Sequence, residues 1–208
     1  MPLRAGLTLS ELLVVICIVA VLAGLLIAGI GGVRGAMRQA ACQHNLAQIG
    51  AACLGYADDY RGLLPADRTF GDDDPRTSPA WFHRLPRYLG GPDARRGIFQ
   101  CPSAECATPA VFTNAAPKSY KMNDRLDAQG RPRHCRLHSI RRPSEVVLFA
   151  DAYAGETGTG QWGHLPATAV EPRHGGKANI LFADLSVRAV AEPTNGSWLH
   201  ALRWDPER

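Results

Sequence analysis

The sequence predicts an α+β protein: a long amino-terminal α-helix, transmembrane in its first half and amphipathic in its second, packed on a small antiparallel β-sheet. Three observations carry that expectation. An uncharged, proline-free run extends from Leu12 to Val33. Helix-spaced apolar residues follow it, and the strand-like segments come late in the chain.

As a helix, Leu12–Val33 reaches about 33 Å, close to the hydrocarbon thickness of a bilayer. A cleaved secretory signal has a shorter apolar stretch followed by a small-residue cleavage site, whereas nothing polar interrupts this run before Arg34, so retention as an anchor fits better. With Arg4 on one side and Arg34 and Arg38 on the other, the positive-inside rule does not orient the segment.

From Arg34 to Tyr60 the chain is Ala-rich and free of proline, with Leu46, Ile49, Cys53 and Tyr56 at three- and four-residue steps. These residues predict a helix that continues out of the membrane with one apolar face. Gly24, Gly29, Gly31, Gly32 and Gly35 weaken it, each costing about 1 kcal/mol relative to alanine. Close packing in the membrane and a segment able to bend are both consistent with that cluster. Gly62 and Pro65 in "DDYRGLLP" supply the stop.

Ala66 to Pro143 reads as loop-rich, with one short helix between Trp81 and Tyr88. Strands are expected at Glu145–Ala152 and Ala178–Val190, as antiparallel neighbours, and a last one near "SWLHALRW". The first two share the tetrapeptide LFAD, at Leu148–Asp151 and Leu181–Asp184. With 208 residues there is room for one compact domain and an appended segment. The net charge of +4 is spread along the chain, which argues against nucleic acid as a partner.

The opening "AGLTLSELLVVICIVAVLAGLL" resembles the type IV prepilin amino-terminal motif. The remainder is similar to pseudopilin-like proteins with a His-x9-Asp-Gly signature, a DUF1559-like branch. The segments that carry this second likeness are Ala41–Pro65, "FQCPS" (Phe99–Ser103), Arg142–Ala152 and Arg173–Val187. Four departures stand out. Leu7 replaces the usual Phe, the leader has one basic side chain, the membrane half lacks proline, and Leu185 follows Asp184 where the signature of His174 and Asp184 has glycine.

The resemblance implies a leader at 1–6, a transmembrane helix at 7–33, an amphipathic continuation at 34–62 and an extracytoplasmic pilin-like domain at 63–208. A prepilin peptidase would cut between Gly6 and Leu7 and N-methylate Leu7. A buried carboxylate is costly unless paired, and the amine of Leu7 on a neighbouring subunit is the implied partner of Glu11, setting register during assembly. The function implied is a structural, non-enzymatic subunit of a type II secretion pseudopilus or type IV pilus-like filament in the bacterial inner membrane, with its amino terminus cytoplasmic. Partners would be prepilin peptidase, other pilin-like subunits, the assembly machinery and membrane lipid. The rival from another class is a membrane-tethered extracytoplasmic module that binds a ligand or a metal.

The cysteines divide in the same way. Cys17 lies in the apolar run, and Cys42 and Cys53 are about 16 Å apart along one helix, too far to bridge each other. On the oxidising side implied by the resemblance, disulfides among Cys42, Cys101, Cys106 and Cys135 are expected. Cys42–Cys101 and Cys106–Cys135 are the favoured pairs, with Cys53 free. The alternative is zinc held by Cys101, Cys106, Cys135 and His138, with His134 nearby. Calcium at the acidic run Gly71–Pro75 is a weaker expectation, since a solvated loop is the usual fate of such a run. His174 and Asp184 lack an accompanying nucleophile motif, so hydrogen bonding in a turn is expected of them, with no catalytic residue.

Overall fold

The computed structural model describes residues 8–67, 77–78, 80–91, 97–104, 118–126, 135–152, 164–165 and 167–206, apart from the side chains of 26–31, 164 and 168. The chain divides into two compact units, Met1–Met37 and Arg38–Arg208. Helix α1 spans Leu9–Asp59. Its start is a reciprocal capping box: the Thr8 N–H donates to Glu11 Oε2 (2.8 Å), and the Glu11 N–H donates to Thr8 Oγ1 (3.3 Å).

In the first unit the large apolar side chains from Leu9 to Leu25 are exposed. Among the described residues no helix is long and apolar enough to cross a membrane. Residues 26–31, toward the end of the run expected to span one, are outside the described side chains. The helix continues through the glycine cluster, and a Cβ placed on Gly24, Gly32 or Gly35 would meet nothing within 4 Å. Among the described residues, no contact requires glycine at those three positions.

In the second unit, the α1 face formed by Cys42, Leu46, Ile49, Ala52, Cys53 and Ala57 is buried, as its spacing predicts, with Tyr56 at its margin. Fully burying a side chain such as Leu46 or Ile49 contributes roughly 1.5–3 kcal/mol. The helix ends with Arg61 left-handed (φ 56°) and the Gly62 N–H returned to the Ala57 carbonyl at 2.7 Å, a Schellman-type closure.

The short helix expected at Trp81–Tyr88 is α2 (Trp81–Arg84), followed by a 3-10 turn at Leu85–Tyr88. Trp81 is fully buried and meets Phe99 and Phe149 edge-on, with centroids 4.8 and 5.0 Å away.

Among the described residues five strands follow: β1 (Tyr120–Asn123), β2 (Val147–Asp151), β3 (His164–Leu165), β4 (Lys177–Phe182) and β5 (Val187–Ala191). They form one sheet in the order β3-β1-β2-β4-β5. β1, β2, β4 and β5 pair antiparallel, and the two-residue β3 joins β1 in parallel.

The expected pairing of the two LFAD segments is therefore present, as β2 against β4. The second segment folds back within itself, since β4 and β5 are the arms of one hairpin. The strand expected at "SWLHALRW" is instead a short helix, α3 (Trp198–Ala201), which buries Trp198 beside Trp204 under the sheet's second face. Two bulky indoles within seven residues fill that layer better from a helical turn than from an edge strand.

The sheet is buried on both faces. Leu148, Phe149, Tyr120, Met122 and Leu181 face the α1 side, while Val147, Ala150, Ile180 and Phe182 face the layer of Trp198 and Trp204. That double burial explains why "VLFAD" reads as a continuous apolar run rather than an alternating one.

Candidate metal centre

Four side chains from four separate segments converge inside the second unit: Cys42 from α1, Cys101 from the "FQCPS" loop, Asp151 from the end of β2, and His174 from the turn before β4. Their donor atoms all lie within 4.8 Å of one another and all four residues are buried. Asp151 and Cys42 are completely inaccessible.

Local sequence places each donor. Cys42 sits one helical turn before Leu46 on the buried α1 stripe, so the packing that seats Leu46 also seats the thiol. Asp151 ends a strand whose other residues are apolar. His174 belongs to the turn His174-Gly175-Gly176-Lys177, in which His174 and Lys177 exchange both backbone hydrogen bonds. Both central residues have positive φ (61° and 76°), as a type I′ turn requires and glycine permits. Cys101 is fixed by its N–H, which donates to Ser119 Oγ, and its sulfur accepts from the Ser103 N–H at 3.4 Å.

The contacts themselves are unusual. His174 Nε2 is 3.3 Å from Cys101 Sγ and 3.4 Å from Asp151 Oδ2. Both run through the same ring nitrogen, whereas a Cys-His-Asp relay needs one nitrogen for each neighbour. Cys42 Sγ is 3.2 Å from Asp151 Oδ1 and also faces Cys101. Two thiols and a single ring nitrogen thus share four converging contacts.

The electrostatics reflect this crowding. Hydrogen bonding to Cys101 raises the Cys42 pKa, with burial and Asp151 adding to it, so Cys42 retains its proton. Its neighbour Cys101 is lowered to about 6, the bond from Cys42 being the largest cause. The hydrogen bond to Asp151 raises His174 against the opposing effect of burial. Around the cluster, the Asn179 N–H donates to Asp151 Oδ2 at 2.8 Å, and Tyr120 Oη donates to the Cys42 carbonyl at 3.4 Å. The buried Arg173 guanidinium spans Ala152 O and Glu171, at 2.5 Å from the latter carboxylate.

The predicted site residues distribute as follows. Cys42 and Cys101, one of the favoured disulfide pairs, are brought together as free thiols. Cys106 lies outside the described residues, and with it the Cys106–Cys135 pair; so do Gly6, Leu7, His134 and the Gly71–Pro75 run. Cys53 is buried and free, and Cys17 is exposed and free.

Of the described members of the alternative zinc set, Cys101, Cys135 and His138, only Cys101 belongs to the four-donor cluster. Cys135 is half-buried, its carbonyl accepting from the Leu64 N–H at 2.9 Å. His138 lies over Gly62, where a Cβ would come within 2.2 Å of its ring.

The two signature residues separate. Asp184 is exposed in the β4–β5 turn and accepts from the Ser186 N–H (2.9 Å) and Oγ (2.6 Å), the turn role expected of it. His174 hydrogen-bonds through its backbone in its own turn, while its ring lies against Asp151 and Cys101. Asp151 was not among the residues expected from sequence, although a carboxylate closing an apolar strand is a signal, because burial obliges it to find partners.

Leu185 takes the left-handed conformation (φ 68°) that the expected glycine would adopt. Its Cδ2 lies 3.6 Å from where a Cβ of Gly50 would stand, so its side chain packs on α1 at a glycine.

Residues 32–94 match a family described as a protein of unknown function (DUF1559). The matched segment includes Cys42 and none of the other three donors. No curated protein and no solved structure matches the chain.

Proposed function

We propose that the protein is a structural pilin-like subunit, processed by a prepilin peptidase at Gly6–Leu7, anchored in the bacterial inner membrane through α1, and assembled into a type II secretion or type IV pilus-like filament. The observation that carries this reading is the two-part character of α1. Its first part exposes an unbroken row of large apolar side chains, from Leu12 to Leu25, and its second part buries a stripe against a sheet. An exposed row of that length requires lipid or other copies of the helix around it. The match of residues 32–94 to the DUF1559 family supports the branch named by the sequence resemblance.

The test is expression of the full chain with a prepilin peptidase. Mass spectrometry should find an amino terminus at Leu7 carrying one methyl group, and cross-linking should trap α1–α1 contacts between copies. An uncut chain that forms no such contacts would refute the proposal.

A second reading, a membrane-tethered extracytoplasmic binding module, draws on the four-donor cluster. Full burial of that cluster suits an ion that stays in place better than a ligand that comes and goes, and so favours the filament subunit.

A further inference from the structure

We propose that Cys42, Cys101, Asp151 and His174 form a closed, tetrahedral structural site for one divalent transition-metal ion of the zinc class, which ties helix α1 to the sheet.

Geometry is the first argument. With zinc–nitrogen and zinc–oxygen bonds of about 2.0–2.2 Å and zinc–sulfur bonds of about 2.3 Å, the edges of a tetrahedron are about 3.4 Å between nitrogen and oxygen and about 3.5 Å where sulfur is involved. The observed separations are 3.4 Å for His174 Nε2 to Asp151 Oδ2, 3.3 Å for Cys101 Sγ to His174 Nε2 and 3.2 Å for Cys42 Sγ to Asp151 Oδ1. The nitrogen–oxygen value exceeds the usual 2.7–3.2 Å of a hydrogen bond. The two sulfur contacts are of hydrogen-bond length and Asp151 offers a different oxygen to His174 and to Cys42, but all four donors lie within 4.8 Å of one another, a cluster that small side-chain shifts bring to the vertices around one ion.

Donor chemistry is the second argument. Two sulfurs, a carboxylate and a ring nitrogen enclosed together present lone pairs that a cation at the centre would satisfy at once. On binding, the thiol protons leave to solvent and two thiolates, one carboxylate and a neutral imidazole hold the ion. The residual negative charge faces the buried Arg173 guanidinium.

The outer layer is the third. Asp151 Oδ2 is held by the Asn179 N–H, Asn179 Oδ1 accepts from Gln43 Nε2 at 3.1 Å, and Gln43 adjoins Cys42. Groups of this kind fix the orientation of metal ligands.

The donors come from α1, the Cys101 loop, β2 and the turn before β4, so one ion replaces the staple expected from a Cys42–Cys101 disulfide. Metal and disulfide exclude each other, because each requires both sulfurs. The site does not depend on the filament reading.

The test uses the full-length chain purified in detergent from zinc-supplemented cells, without added oxidant. Metal content, disulfide mapping and the cobalt(II)-substituted spectrum are measured together. About one zinc per chain is expected, with cobalt giving intense tetrahedral bands and thiolate-to-metal charge transfer. Cys42→Ser and His174→Ala should lower zinc affinity by about tenfold or more, while Cys53→Ser and Cys135→Ser leave it unchanged. His174→Cys restores a donor and should retain the metal with a more sulfur-rich cobalt spectrum, which guards against reading misfolding as lost ligation. Metal-free protein with Cys42 and Cys101 joined would overturn the proposal, as would zinc that survives both Cys42→Ser and His174→Ala.

Discussion

Asn123 joins the sheet to the carboxy-terminal segment: its Nδ2 donates to the carbonyl of Val147 and, on the other side, to the carbonyl of Trp204, each at 2.8 Å. One fully buried amide thus satisfies two backbone acceptors far apart in sequence.

Asn123→Ala leaves both carbonyls without that donor, and an orphaned buried acceptor costs about 1–3 kcal/mol. The expected loss is about 2 kcal/mol, read as a lower denaturant midpoint with the slope unchanged. A loss under about 0.5 kcal/mol would mean that the two carbonyls find other donors.

Glu11 has two uses, capping its own helix and, on the filament proposal, pairing with the Leu7 amine of a neighbour. Glutamine serves equally well in a capping box but carries no charge. Glu11→Gln should therefore retain helix and processing yet fail in assembly, and Glu11→Ala should fail in the same way. Filament incorporation of Glu11→Gln at the wild-type level would show that the cap alone matters.

Tyr88 Oη donates to Asp59 Oδ2 at 2.7 Å, tying the turn after α2 to the end of α1. Burial first, and then this bond, push the Tyr88 phenol up to about 12. A raised phenol favours the folded state while protonated, so its contribution is complete below the unfolded pKa of about 10 and is lost as pH rises through about 12. Tyr88→Phe should cost about 1 kcal/mol at neutral pH, with the gap to wild type closing above pH 10 in chemical denaturation. A pH-independent gap would contradict this.

At Leu185 two terms oppose each other. A left-handed non-glycine residue costs about 1–2 kcal/mol, while a half-buried leucine against α1 returns about 1 kcal/mol. Leu185→Gly should thus change stability by less than about 1 kcal/mol, whereas Leu185→Val, β-branched at positive φ, should destabilise by more. Equal stabilities for the Gly and Val variants would show that the backbone term is absent.

The capping box was present in the sequence as Thr8-x-x-Glu11, and the buried stripe of α1 in the spacing of Leu46, Ile49 and Cys53. The strand β1, "YKMN", was not legible. It has four residues, two of them polar, and becomes a strand because β2 offers hydrogen bonds along its edge and the core receives Tyr120 and Met122. At the other end, "SWLHALRW" carries strand-like residues and yet turns as a helix, because the layer beneath the sheet must be filled by Trp198 and Trp204.

The candidate site shows the same division. Cys42, Cys101 and His174 each stood out in the sequence. Of the two aspartates that close the LFAD segments, only Asp184, at the signature distance from His174, was singled out.

Local chemistry along the chain determined the helix, its cap, the two long strands and the glycine turn that presents His174, because these depend on neighbours a few residues away. Only the tertiary structure decided that Asp151, and not Asp184, meets His174. The pairing of β2 with β4 buries one aspartate among the sulfurs of Cys42 and Cys101, while the hairpin turns the other out to Ser186 and solvent.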